Sequence, residues 1–128
     1  MTIFFHCHKA GGTTVVDAAL KSGLKLPLQH SNGNPLGNDG KPLKWTAMSE
    51  EQTIETITGF QSEGVQLFCC EFSIPQWKCI KKIKGLNLVT VLREPQARAF
   101  SNLRMDILNG HIPRDAVEIG RASCRERV

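Results

Sequence analysis

The chain has no apolar stretch near the roughly eighteen residues that a membrane span needs, so no transmembrane helix is expected within it. Its start has neither the basic residues nor the apolar core of a secretion signal. None of its five cysteines forms a C-x-x-C pair, which argues against a zinc ribbon, and adjacent Cys69 and Cys70 sit in an apolar run. Cys7, Cys69, Cys70 and Cys79 therefore read as buried free thiols rather than a disulfide framework. No internal repeat and no low-complexity tract is present, which excludes a solenoid. A charge of one sign is also missing: the formal net charge is only +4. That is enough to favour an anionic ligand and too little to mark a nucleic-acid binder.

What is present is concentrated at the start. Ile3 to Cys7 is an apolar run that leads into His8-Lys9-Ala10-Gly11-Gly12-Thr13-Thr14 and then a helical pattern. Glycines let backbone N–H groups approach an anion closely, the helix start contributes its positive end, and the ammonium and two hydroxyls add donors. The usual nucleotide loop, G-x-x-x-x-G-K-[ST], places lysine after its last glycine. Here Lys9 comes before the glycines. That order argues against an ATPase or GTPase and for a different nucleotide.

Around this loop the chain alternates strands and helices. Thr2 to Cys7 predicts a buried strand and Thr13 to Leu20 a helix ending near Gly23. Residues 29–44 hold four Asn or Asp, three Gly and two Pro without periodicity, which predicts a long exposed loop. Ser49 and Gln52 form a capping-box pattern for a helix with Ile54, Ile57 and Phe60 near one face, ended by Gly64. Val65 to Cys70 predicts a second strand, and Pro75 opens a short basic segment with Lys78, Lys81, Lys82 and Lys84, expected as a solvated face or, alternatively, an anionic glycan path. Leu88 to Leu92 is a third strand of the uninterrupted kind found in parallel sheets covered on both faces. Pro95 then opens a helix that runs to about Asn109 and Gly110. The alternation predicts an α/β fold with a parallel sheet.

The loop is similar to the P-K-T-G-G-T-S/T loop of sulfotransferases that use 3′-phosphoadenosine 5′-phosphosulfate. A second element of that family, L-R-[DE]-P-x-x-R-x-x-S after a strand, is matched by Leu92-Arg93-Glu94-Pro95-Gln96-Ala97-Arg98-Ala99-Phe100-Ser101. The first loop resembles the carbohydrate-type members most closely, with His8 in place of the common Pro and Ala10 in place of Thr. This resemblance implies a P-loop-type three-layer sandwich around a central parallel sheet. It implies the phosphosulfate as co-substrate, no metal, and a hydroxyl-bearing acceptor, a glycan, as partner. Lys9, Ala10, Gly11, Gly12, Thr13 and Thr14 would bind the 5′-phosphosulfate, and Arg93 and Ser101 the 3′-phosphate. Members of this kind with an upstream anchor have a lumenal Golgi domain.

Glu118 to Val128 resembles the in-frame translation of a common short-read sequencing adapter over all eleven residues, and is set aside as non-native. It carries three Arg and two Glu, so residues 1–117 stand at +3. They are expected to be the N-terminal part of one sulfotransferase domain, incomplete at its C-terminus. On their own they are expected to be poorly stable and inactive.

Sulfuryl transfer in line from a phosphate leaving group is a matter of positioning and charge stabilisation. Lys9 is expected to offset charge on the departing phosphate. Arg93 offers a bidentate, permanently charged fork for a terminal phosphate. A base must take the acceptor proton, and the resemblance puts it near the end of the second strand, where Glu71 lies; His6 and His8 compete for the role. His6 also reads as a satisfied core histidine, and His8 as a residue that shapes the loop. His30 lies in the long loop, and Arg98 is expected to pair with Glu94 as helix support. Two other functions remain open: a P-loop kinase-like phosphotransferase, which would want a metal-binding carboxylate where Arg93 stands, and a non-enzymatic nucleotide-binding module.

Overall fold

The computed structural model describes residues 1–113. They fall into two compact units, one spanning Met1–Leu92 and one beginning at Arg93.

In the first unit, strand β1 (Thr2–His6) lies between β4 (Leu67–Cys70) and β5 (Asn87–Val91), and both pairings are parallel. Helices α1 (Gly12–Lys21) and α2 (Glu50–Ser62) flank this sheet. The side-chain alternation of a strand decides which face each residue serves. Phe4, Leu67 and Cys69 join Val16 and Ala19 of α1 in one buried cluster. Ile3, Phe68 and Cys70 join Ile57 of α2, Trp45 and Ile83 in the other. The fold is therefore α/β, with a three-stranded parallel sheet between helices.

Helix boundaries follow local chemistry. The Ser49–Gln52 box is complete, with Ser49 Oγ accepting the Gln52 N–H and Gln52 Oε1 accepting the Ser49 N–H. Gly64, at φ 78°, closes the same helix while the Val65 N–H reaches back to the Phe60 carbonyl. Helix α1 ends in the same way, with the Leu24 N–H on the Ala19 carbonyl.

Residues 29–44 depart from the expected exposed loop. Asn32 and Gly33, both at positive φ, form a two-residue turn between β2 (His30–Ser31) and β3 (Asn34–Pro35). Asn34 and Pro35 are buried. The physical reason is the unpaired edge of β4: the Gly33 carbonyl accepts the Cys69 N–H at 2.8 Å, and Asn34 Oδ1 accepts the Glu71 N–H at 2.9 Å. Polar loop residues here satisfy a sheet edge.

Strand β5 departs in the opposite sense. It pairs with β1 as expected, yet all five of its residues are exposed, and so is Leu92. Coverage on both faces is met at β4 and β1 but not at β5, where Leu88, Val89 and Val91 face solvent. Short helix α3 (Trp77–Ile80) precedes β5.

In the second unit, α4 (Pro95–Leu108) starts with Pro95 at its first turn and ends at Asn109 and Gly110, as the sequence predicts. Among the described residues no helix is long and apolar enough to cross a membrane.

Candidate functional site

The end of β1 turns into α1 through Cys7 to Gly11. The Ala10 N–H closes a turn on the Cys7 carbonyl at 3.0 Å. Lys9 has φ 61° and Gly11 φ 88°. Gly11 adopts the left-handed region freely, but Lys9 does so at a steric cost, and such strain collects at ligand sites. The residue at the start of α1 is Gly11, so no side chain caps the helix. The amides of Thr13 and Thr14 have no acceptor inside the helix, and both residues are exposed. Lys9, Gly11, Thr13 and Thr14 thus offer what an anion needs.

Ala10 and Gly12 contribute differently from what the resemblance implies. Both are buried, and both donate inward: Ala10 to Cys7, and Gly12 to His6 Nε2 at 3.1 Å. His6 is a satisfied core histidine on that side. Its ring stacks on Phe4, with centroids 5.7 Å apart and an interplanar angle of 14°. Because Nε2 accepts from Gly12, the ring proton sits on Nδ1. That nitrogen lies 3.3 Å from Glu71 Oε2, too poorly aligned to count as a hydrogen bond.

Glu71 follows β4 directly. Since β1 and β4 are parallel neighbours with Phe5 opposite Cys70, the residues just after each strand meet. The other carboxylate oxygen, Oε1, lies 2.9 Å from His8 Nδ1. The side chain of Glu71 is 11% exposed and that of His8 is 62% exposed. Sequence reasoning set Glu71, His6 and His8 against one another; in the fold they are one cluster, at the carboxyl ends of two adjacent parallel strands. That is where open α/β sheets hold ligands. His30 belongs elsewhere, with its Nδ1 accepting the Gly33 N–H inside the hairpin.

Sequence reasoning missed Asn34, whose buried side chain fixes the Glu71 backbone. The Asn32-Gly33 dipeptide was the available signal, since it favours a tight hairpin turn. From the tip of that hairpin Asn32 Nδ2 reaches Thr13 Oγ1 at 3.4 Å.

The neighbouring thiols are inert by environment. Burial pushes Cys69 up to about 12, with the Glu71 charge adding to it, and burial followed by Cys69 does the same for Cys70. The basic segment is a solvated face, with Lys78, Lys81, Lys82 and Lys84 all exposed, and part of it is paired: Lys78 Nζ lies 3.3 Å from Glu50 Oε2, and Lys82 pairs with the other oxygen. These lysines, Lys82 first, hold the Glu50 carboxyl below its ordinary range.

Arg93 and Ser101 lie in the second unit, Arg93 just before α4 and Ser101 on its second turn. Glu94 caps that helix, accepting from the amides of Gln96 at 2.9 Å and Ala97 at 2.7 Å. The expected Glu94–Arg98 ion pair is not formed among the described residues, because both carboxylate oxygens serve the helix start. These two amide bonds, Ala97 first, hold the Glu94 carboxyl below its ordinary value of 4.5.

The chain matches no family model, no curated protein and no solved structure. What stands on its own is the class, an α/β fold with a strand, a lysine-glycine loop and an uncapped helix start in series.

Proposed function

We propose that this protein is a sulfotransferase of P-loop type. It moves a sulfuryl group from 3′-phosphoadenosine 5′-phosphosulfate to an acceptor hydroxyl, that of a carbohydrate. The observation that carries the proposal is the left-handed Lys9 backbone between the end of β1 and the uncapped start of α1, next to the Glu71 carboxylate after β4 and the imidazoles of His6 and His8 at the end of β1. Lys9 offsets the charge that develops on the departing 5′-phosphate, and Gly11, Thr13 and Thr14 hold that phosphate through amides and hydroxyls. On the motif, Arg93 and Ser101 supply the 3′-phosphate contacts. The acceptor proton leaves to the cluster formed by Glu71 and the histidines.

The test is calorimetric binding of 3′-phosphoadenosine 5′-phosphate in chelator, using the longest natural chain that carries these residues. Transfer of labelled sulfate to a panel of unsulfated polysaccharides is then measured. Each of Lys9→Ala and Arg93→Ala removes a charged hydrogen bond of about 1.5–3 kcal/mol, a loss of roughly 10- to 100-fold in affinity. Unchanged binding in both variants refutes the site. Binding without any transfer points to a nucleotide-binding module instead.

A further inference from the structure

We infer that His8, and not Glu71, takes the proton from the acceptor hydroxyl, with Glu71 as its positioning residue; this rests on the sulfotransferase reading. A base must present a lone pair to a bulky acceptor arriving from solvent. Glu71 is badly placed for that. Its side chain is 11% exposed, Oε1 is on His8 Nδ1 at 2.9 Å, and Oε2 faces His6 Nδ1 at 3.3 Å. Its backbone is fixed as well, through the Asn34 side chain. His6 cannot serve either, because it is buried and its Nε2 already accepts the Gly12 N–H.

His8 has what the other two lack. Its side chain is 62% exposed, and the contact of Nδ1 with a carboxylate holds the ring proton on that nitrogen. The lone pair then sits on Nε2, on the side of the ring turned from Glu71. Among the described residues nothing occupies Nε2. His8 also directly precedes Lys9, so one short loop carries both the base and the group that steadies the leaving phosphate. A carboxylate holding an imidazole in one tautomer is the orienting arrangement that general-base histidines use.

The hydroxyl O–H bond breaks and its proton bonds to His8 Nε2, while the acceptor oxygen forms a bond to sulfur. The bond from sulfur to the bridging oxygen breaks, and its electron pair stays on the 5′-phosphate. The imidazolium faces the Glu71 carboxylate until water removes the proton.

The test uses His8→Gln, Glu71→Gln and the unaltered protein, each in the longest natural chain that carries these residues, in three measurements: binding of 3′-phosphoadenosine 5′-phosphate, single-turnover sulfate transfer to the polysaccharide panel, and nitrogen NMR of the His8 ring. Nucleotide binding should be equal within about threefold in all three proteins. Transfer should fall by roughly 100- to 10,000-fold in His8→Gln, the range of a lost general base. In Glu71→Gln the His8 spectrum should change from the Nδ1–H form to a mixture of tautomers, and transfer should fall less. Transfer retained in His8→Gln with nucleotide still bound, or an unchanged tautomer in Glu71→Gln, overturns the assignment. Transfer that fails in Glu71→Gln while His8→Gln stays active makes Glu71 the base. If the unaltered chain neither binds the nucleotide nor transfers sulfate, the sulfotransferase reading falls and this inference with it.

Discussion

Replacing Gly12 with alanine tests the joint on which the site is built. A Cβ at Gly12 would lie 2.1 Å from Cε1 and Nε2 of His6 and 2.4 Å from Cδ2. Relief needs a shift of more than an ångström, and the ring has nowhere to go, because it is buried and stacked on Phe4. Overpacking of this sort costs about 1–3 kcal/mol. Displacing the ring also leaves the buried Gly12 N–H without its acceptor, a further penalty of about 1–3 kcal/mol. Gly12→Ala should therefore lower the free energy of unfolding by about 2–6 kcal/mol, read by urea denaturation with buried Trp45 as the fluorescent reporter. Gly11→Ala is the control. Space there is open, so only its left-handed φ of 88° is penalised, at about 1–2 kcal/mol. Removing the ring makes room for the methyl, so the double variant His6→Ala/Gly12→Ala should be less damaged than the sum of the singles by at least about 1 kcal/mol. A Gly12→Ala variant no worse than Gly11→Ala, or an additive cycle, would refute the packing argument.

Other contacts carry consequences of their own. Lys9→Gly relieves left-handed strain that Lys9→Ala keeps, so it should be more stable than Lys9→Ala by up to about 1 kcal/mol while weakening nucleotide binding at least as much; a Lys9→Gly variant less stable than Lys9→Ala would contradict the strain. Asn34→Ala strips the half-buried Glu71 N–H of its acceptor and should cost about 1–3 kcal/mol in the same denaturation assay; a loss within error of zero would show that the hairpin does not anchor β4. Glu94 has a folded pKa below its ordinary 4.5, so its contribution is present above that value and is lost as pH falls through the lower folded value. Helicity by circular dichroism should therefore fall in acid below about pH 4.5, and Glu94→Gln should flatten that decline; identical profiles would rule out the cap. With a thiol-reactive dye, half-exposed Cys7 should label first among the described cysteines, and buried Cys69, Cys70 and Cys79 only on unfolding.

Features fixed by near neighbours were legible in the sequence. The Ser49–Gln52 box, Gly64 at the end of α2, and Pro95 and Gly110 at the ends of α4 each depend on a few adjacent residues. So did the Lys9-to-Thr14 loop between a strand and a helix. What escaped depends on contacts across the chain. Asn34 looked like loop filler because its partner, the Glu71 amide, is 37 residues away. Glu71, His6 and His8 looked like rivals because nothing in their order tells which strands will be neighbours. The inward turn of the Gly12 amide was hidden for the same reason: it follows from a ring six residues earlier that the β1–α1 turn folds back over the helix start.

The two borders of the sheet carry different hazards. Along β4 the outward amides are quenched: those of Leu67, Cys69 and Glu71 find acceptors in Lys25, Gly33 and Asn34. Along β5, among the described residues, only β1 is a partner, and the run Asn87 to Leu92 carries no charge, no proline and no bulge to discourage company. An uncharged, β-prone strand with a bare border is a template for another strand, and natural proteins shield or charge such borders to stay apart. This border is thus where a further strand would add in register, or where two copies would stick. Its behaviour in concentrated solution belongs to β5 and not to the lysine-glycine loop.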